Sequence, residues 1–209
     1  MKRSPEFDLY LITDRKQTRG RELLRVVEDA LDGGVKAIQL REKDLGGREL
    51  YELAEQLKTV CSTHRAKLFI NDRVDVALAV DADGVQLGSA SMPVGAARAL
   101  LGERKSIGAS THSLEEALVA ERAGADFVLF GPVYFTPSKS AYGKPQGLEP
   151  LRGVVEKISI PVYAIGGIKP ENIGAVKRAG ASGAALISAV MAAEAPREAA
   201  RELLRLLKE

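Results

Sequence analysis

One cysteine, Cys61, occurs in 209 residues, so the chain closes no disulfide within itself and cannot assemble a thiolate metal cluster. A lone thiol in a helix-like stretch suits a reducing, cytoplasmic setting. Histidine is nearly as scarce, with only His64 and His112. No Cys–His or Ser–His–Asp arrangement is visible, which leaves hydrolytic nucleophile chemistry without support. An excess of either charge is also missing: 30 Lys and Arg stand against 28 Asp and Glu, a net +2. That balance supplies no field for nucleic acid or a membrane surface, so any anion must be held locally. No segment reaches the roughly 20 apolar residues of a membrane span. The basic opening Met1-Lys2-Arg3-Ser4-Pro5 runs into a short strand-like segment rather than the apolar centre of a signal peptide.

What the sequence does have is an unbroken alternation of short, branched apolar runs with longer stretches whose apolar residues recur every three or four positions. The runs predict eight strands, over 9–13, 37–41, 67–71, 84–88, 106–110, 127–133, 161–165 and 183–187. Helices follow each, among them 20–31, 49–64, 74–80 and a last one from about 196 to the end. Pro93 is placed in the first turn of the helix after the fourth strand. Ser113 opens another with the capping-box pattern Ser-Leu-Glu-Glu, and His64 ends the 49–64 helix as a cap or surface residue. Three helix ends repeat one another at Gly33-Gly34, Ala123-Gly124 and Ala179-Gly180, where glycine admits the left-handed cap conformation. Eight strand–helix units with buried-type strands predict parallel pairing and closure into a (β/α)8 TIM barrel, an α/β fold filling one domain over 1–209. An open, doubly wound sheet is the alternative, and the lack of a Gly-x-Gly-x-x-Gly after the first strand weighs against it.

In such a barrel, polar residues at the C-terminal ends of strands face the site. This retains Asp14, Gln39, Arg41, Lys43, Asn71, Asp72, Ser110, Thr111, His112, Thr136, Ser138, Lys139, Gly166, Gly167 and Ser188. Gly166-Gly167 after strand seven and the turn after strand eight suit backbone capture of a phosphate, although paired glycines also make tight turns. Arg41-Glu42-Lys43, with Lys139, could grip a diphosphate, or could be a solvated charged loop. Asp72 is either an oxygen ligand for Mg2+ or a helix N-cap. His112 at the rim of strand five is placed as a general acid or base would be.

Six motifs occur in order: Tyr10-Leu11-Ile12-Thr13-Asp14, Gln39-Leu40-Arg41-Glu42-Lys43, Phe69-Ile70-Asn71-Asp72-Arg73, Asp83-Gly84-Val85-Gln86-Leu87-Gly88, Gly131-Pro132-Val133 continuing through Thr136-Pro137-Ser138-Lys139, and Ala164-Ile165-Gly166-Gly167-Ile168. Together they resemble the thiamine-phosphate synthase family, which includes the TenI-type thiazole tautomerases. The resemblance implies a transferase of thiamine biosynthesis that joins hydroxymethylpyrimidine diphosphate to thiazole phosphate and releases pyrophosphate with Mg2+. It implies that Gln39, Arg41 and Lys43 hold the diphosphate and pyrimidine, Asn71 contacts pyrophosphate and Asp72 ligates Mg2+. Ser110 would lie beside the pyrimidine. Thr136, Ser138 and Lys139 would meet phosphates, while Gly166, Gly167, Ile187 and Ser188 would seat the thiazole phosphate. Arg41, Lys43 and Lys139 would stabilise the departing charge.

Two departures stand out. Ser91 occupies the place of a second acidic metal ligand, and Gln86 that of a frequent histidine. The resemblance also admits a metal-free tautomerase using His112, and a non-catalytic sensor that keeps the phosphate pocket. The partners expected are small phosphorylated pyrimidine and thiazole compounds, with no nucleic acid and no membrane, and self-association into a homo-oligomer is left open.

Overall fold

The computed structural model describes residues 7–136 and 144–209. Its strands are β1 (Leu9–Ile12), β2 (Ala37–Leu40), β3 (Lys67–Asn71), β4 (Gly84–Leu87), β5 (Ser106–Thr111), β6 (Phe127–Phe130), β7 (Val162–Ile165) and β8 (Gly183–Leu186). All pair in parallel with their chain neighbours, and β8 closes on β1. The helices are α1 (Leu23–Asp32), α2 (Gly47–Thr63), α3 (Val74–Ala79), α4 (Val94–Leu101), α5 (Leu114–Arg122), α6 (Leu148–Lys157), α7 (Pro170–Arg178), α8 (Ser188–Met191) and α9 (Pro196–Leu206). None among the described residues is long and apolar enough to cross a membrane.

The expected closed barrel is therefore present, with corrected element ends. The helix expected from residue 20 starts at Leu23, because the Arg21 guanidinium donates to the carbonyls of Met191, Ala193 and Glu194 and holds its segment out of the helix. Pro93 is the N-cap of α4 rather than a residue of its first turn. β6 ends at Phe130 instead of 133, since Pro132 has no N–H to give the ladder. Ser113 does cap α5, accepting from the Glu116 N–H at 3.1 Å, but the Glu116 carboxylate accepts from the His112 N–H instead of completing the box.

The three repeated glycine turns form one motif. Gly34, Gly124 and Gly180 have φ of 105°, 98° and 90°. In each, the residue after the glycine donates back to a carbonyl in the last helical turn, as Ala125 does to Ala120 at 3.0 Å. Arg65 (φ 53°) and Asp81 (φ 50°) fill the same position after α2 and α3.

Two separate cores hold the barrel. Outward strand residues such as Ile38, Leu68, Val85 and Val128 pack beneath the helices. Inside, the register stacks side chains in layers contributed by alternate strands. Phe7, Tyr10, Phe69, Phe127 and Tyr163 fill the lower half, with Phe7 stacked on Tyr163 at 4.6 Å. Glycines opposite make room for these rings: a Cβ at Gly84 would approach the Phe69 ring to 2.9 Å. Gln39, Gln86, Leu129 and Ala185 form the next layer, then Ile12, Asn71, Ser110 and Ile165. Arg41, Gly88, Gly131 and Ile187 lie at the mouth.

Candidate active site

The C-terminal ends of all eight strands converge on this mouth, and with them most residues expected from sequence. β1 and β2 deliver the charge. The buried Thr13 hydroxyl accepts from the Arg41 N–H at 2.9 Å and fixes where β2 leaves the barrel. Between Arg41 and Lys43, Glu42 turns inward with its side chain 3% exposed. Its carboxylate accepts from the Arg15 N–H at 3.1 and 3.2 Å and from Arg15 Nη1 at 3.2 Å. Asp44 pairs with Arg15 at 2.7 Å and Lys16 at 2.8 Å. The Lys16 ammonium beside it holds the Asp44 carboxyl down to about 2.

This clasp sorts the charges. Arg15 and Lys16 are neutralised by Glu42 and Asp44, whereas Arg41 and Lys43 have no side-chain partner among the described residues. Two cations are thus left for an incoming anion. Sequence reasoning missed Arg15 and Asp44, because the pairing spans 27 residues and no local pattern marks it. Asp14 serves structure: it caps the turn at Arg15–Gln17, accepting from the Lys16 N–H at 3.1 Å and Gln17 Nε2 at 2.6 Å.

β3 delivers Asn71 and Asp72. The N-cap alternative for Asp72 does not hold: Arg73 occupies that position, and Asp72 sits in the left-handed region at φ 69°. Its carboxylate is exposed without a partner among the described residues, unlike those of Glu42, Asp44 and Asp14. Ser91 does not supply a second such ligand, since its hydroxyl accepts from the Gly88 N–H at 2.7 Å and closes the loop after β4. Among the described residues no group of three His, Cys, Asp or Glu could hold a metal ion. The donor set therefore suits Mg2+ only in the manner of an ion shared between one carboxylate and substrate phosphates.

β5 brings Ser110, whose Oγ accepts from Gln86 Nε2 at 3.1 Å. Thr111 faces the other way, donating to the Leu129 carbonyl at 3.3 Å, and belongs to the wall. His112 stands at the rim with Nδ1 3.0 Å from the Glu116 carboxylate, itself exposed. The other histidine caps α2 and pairs with Asp32 at 3.2 Å, far along the chain from this site.

On the opposite side of the mouth, Gly166 and Gly167 have φ of 97° and 65°. The Tyr134 N–H donates to the Gly166 carbonyl, and a Cβ at Gly167 would come within 2.8 Å of Tyr134 Cβ. The pair is thus a tight turn packed against the strand-six loop, where a side chain on either glycine would collide with Pro132 or with Tyr134 and Phe135. After β8, Ile187 caps the one-turn helix α8, which opens at the exposed Ser188. The first amides of a helix have no partner within it and are open to an anion. Thr136 lies on the strand-six side, while Ser138 and Lys139 lie outside the described residues.

The mouth therefore opposes free cations on β2 to glycine-rich and helix-start backbone on β7 and β8, with a free carboxylate and an amide from β3 nearby. It presents groups suited to an anion at two places and, among the described residues, no base-activated nucleophile. Known proteins share this arrangement of sequence and fold. The chain is 48% identical to a thiamine-phosphate synthase of Syntrophomonas wolfei over 95% of each chain. It is 51% identical to one of Chlorobium luteolum, over 95% of this chain and 92% of that one. A solved thiamine phosphate pyrophosphorylase from Pyrococcus furiosus superposes with a TM-score of 0.89 at 46% identity, covering 97% of this chain and 96% of the other. The sequence model of one family, thiamine monophosphate synthase, matches residues 9–190, and the chain belongs to that family.

Proposed function

We propose that this protein is a cytoplasmic transferase that couples hydroxymethylpyrimidine diphosphate to thiazole phosphate, giving thiamine phosphate and pyrophosphate. The observation that carries this is the sorting of charge by the Arg15–Glu42–Asp44 clasp, which leaves Arg41 and Lys43 without a side-chain partner among the described residues, across the mouth from a separate glycine turn. Family membership supports the same chemistry.

In the reaction the bond from the pyrimidine methylene to the diphosphate oxygen breaks, and the thiazole nitrogen supplies the electron pair for the new C–N bond. Arg41 and Lys43 stabilise the negative charge that develops on the departing pyrophosphate, being fixed before the reaction begins. The Asn71 amide donates to the same group. Gln39 and Ser110 flank the pyrimidine. Backbone N–H groups at Gly167 and at the Ile187–Ser188 turn, beside Gly166, hold the thiazole phosphate, and Thr136 lies between the two anions. The roles of Ser138 and Lys139 as further phosphate contacts follow from the sequence motif alone. Asp72 would hold Mg2+, which when bound supplies positive charge to the diphosphate oxygens. The reaction needs no nucleophile from the protein, because the thiazole nitrogen supplies the electron pair.

The test is the purified protein given both substrates, with and without Mg2+, read as thiamine phosphate formed and pyrophosphate released. Arg41→Ala should cut the rate at least about a hundredfold, as loss of a charge-stabilising donor does elsewhere. Ser91→Asp should lower the Mg2+ concentration needed for half-maximal rate. Absence of coupling would overturn the assignment, and coupling that survives EDTA would overturn the role of the metal.

A further inference from the structure

Among the described residues, three buried side-chain polar atoms have no hydrogen-bond partner: Tyr10 Oη, Gln39 Nε2 and Gln86 Oε1. All three belong to inward-facing residues in the middle of the barrel, where an unpaired group is costly. Gln86 is the informative one. It is 2% exposed, lies one layer beneath Ser110 and two beneath the mouth, and joins the buried interior to Ser110. Its Nε2 donates to Ser110 Oγ at 3.1 Å, and its Oε1 lies over Gly108, where a Cβ would collide with it.

We infer that Gln86 is a positioning residue that fixes the polarity of Ser110, making its hydroxyl a hydrogen-bond donor to the substrate ring. An amide N–H can only donate. With that N–H on one Oγ lone pair, Ser110 finds no acceptor on the Gln86 nitrogen, and its proton is left to turn up into the mouth. A ligand atom facing Ser110 must then be an acceptor, which is what an unprotonated pyrimidine nitrogen offers. This rests on the pyrimidine substrate proposed above.

The amide orientation follows from what each choice leaves unpaired. Rotated by half a turn, Oε1 would accept the Ser110 proton and the NH2 would sit over the Gly108 Cα–H without an acceptor. As placed, an oxygen lies there instead, a weakly favourable C–H···O contact. An under-satisfied carbonyl is also more readily tolerated than an orphaned N–H. Gly108 makes this possible, because any side chain there would displace the amide.

Three variants rank the idea: Gln86→Met, which removes the donor at similar volume; Gln86→Glu, whose carboxylate would accept from Ser110 and turn its proton away from the ligand; and Gln86→His, which restores a ring N–H. The KM for hydroxymethylpyrimidine diphosphate should rise about tenfold in Q86M, as for the loss of one good hydrogen bond, and further in Q86E. In Q86H it should return towards the unaltered value. The KM for thiazole phosphate and kcat should change little. Combined with Ser110→Ala, Q86M should add nothing, since both act through one hydroxyl.

Effects of Q86M and S110A that multiply, or equal rises in KM for both substrates, would overturn the inference. So would a fall in thermal midpoint with unchanged KM, the outcome of a merely structural role. If Q86M does not fold, a raised KM in Q86E beside a near-unaltered KM in Q86H decides the same question. Absence of turnover in the unaltered protein would instead count against the functional proposal.

Discussion

Replacing Glu42 by alanine should damage both stability and the binding of one substrate only. The carboxylate is nearly buried and is the acceptor for the Arg15 backbone N–H and for its guanidinium. Charge-assisted hydrogen bonds contribute about 1.5–3 kcal/mol, and a donor left unpaired costs about 1–3 kcal/mol. Arg15 is only partly buried and keeps Asp44 as a partner at 2.7 Å, so the lower ends apply. The sum is about 2.5 kcal/mol for Glu42→Ala. Glu42→Gln keeps an oxygen for the Arg15 N–H and should lose about 1 kcal/mol. At about 2–4 °C per kcal/mol for a chain of this size, the thermal midpoints should fall by about 5–10 °C and 2–4 °C respectively. Because Arg41 and Lys43 flank Glu42, the KM for the pyrimidine diphosphate should rise about tenfold or more in Glu42→Ala, while that for thiazole phosphate stays put. Asp44→Ala, which removes the exposed arm of the clasp, should move both quantities much less than Glu42→Ala does. Differential scanning fluorimetry and steady-state kinetics suffice. Equal effects of E42Q and E42A, or an Asp44→Ala effect as large as that of Glu42→Ala, would refute the view that the buried carboxylate organises the cations.

Three further outcomes follow. Arg65→Gly should raise stability by about 0.5–1 kcal/mol, since Arg65 is held at φ 53° where glycine is unstrained, whereas Gly124→Ala at φ 98° should lower it by a similar amount; urea midpoints check both. Asp44 titrates below its unfolded value near 3.9, so its contribution is fully present above that pH and lost as the pH falls through about 2. Asp44→Asn should therefore flatten the stability profile between pH 4 and 2, and should do so less in high salt. Cys61, its thiol pushed up to about 12 by burial, should react with a disulfide reagent only as fast as the protein opens; rapid labelling of the folded protein would contradict its placement.

The sequence carried the barrel itself because closure depends on a pattern repeated eight times, so an error of one or two residues at a strand end does not alter it. The strand-six boundary failed where Pro132 interrupts the ladder, and the start of α1 failed because carbonyls nearly the whole chain away capture Arg21. The site was legible to the extent that its residues sit at strand ends: Arg41, Asn71, Asp72, Ser110, Gly166, Gly167 and Ser188 lie towards one mouth, with Gln39 buried in the layer below. Relations between them were not. That Glu42 is buried against Arg15 and that Gln86 holds Ser110 are pairings between segments 27 and 24 residues apart, to which periodicity is blind. Of the two alternatives for Gly166-Gly167, the tight turn is seen in the positive φ of both residues and their packing against Pro132 and Tyr134.

The aromatic packing in the lower barrel has a consequence for traffic. With Phe7, Tyr10, Phe69, Phe127 and Tyr163 filling the interior below the glutamine layer, the described residues close the rear of the barrel, and what enters at the mouth must leave by the way it came. Two reactants meeting in a vessel with one doorway have to be loaded from the same side, and the joined product, larger than either, spans both seats on its way out. While it lingers it excludes both reactants at once, so the pace of the enzyme is tied to how readily that doorway clears.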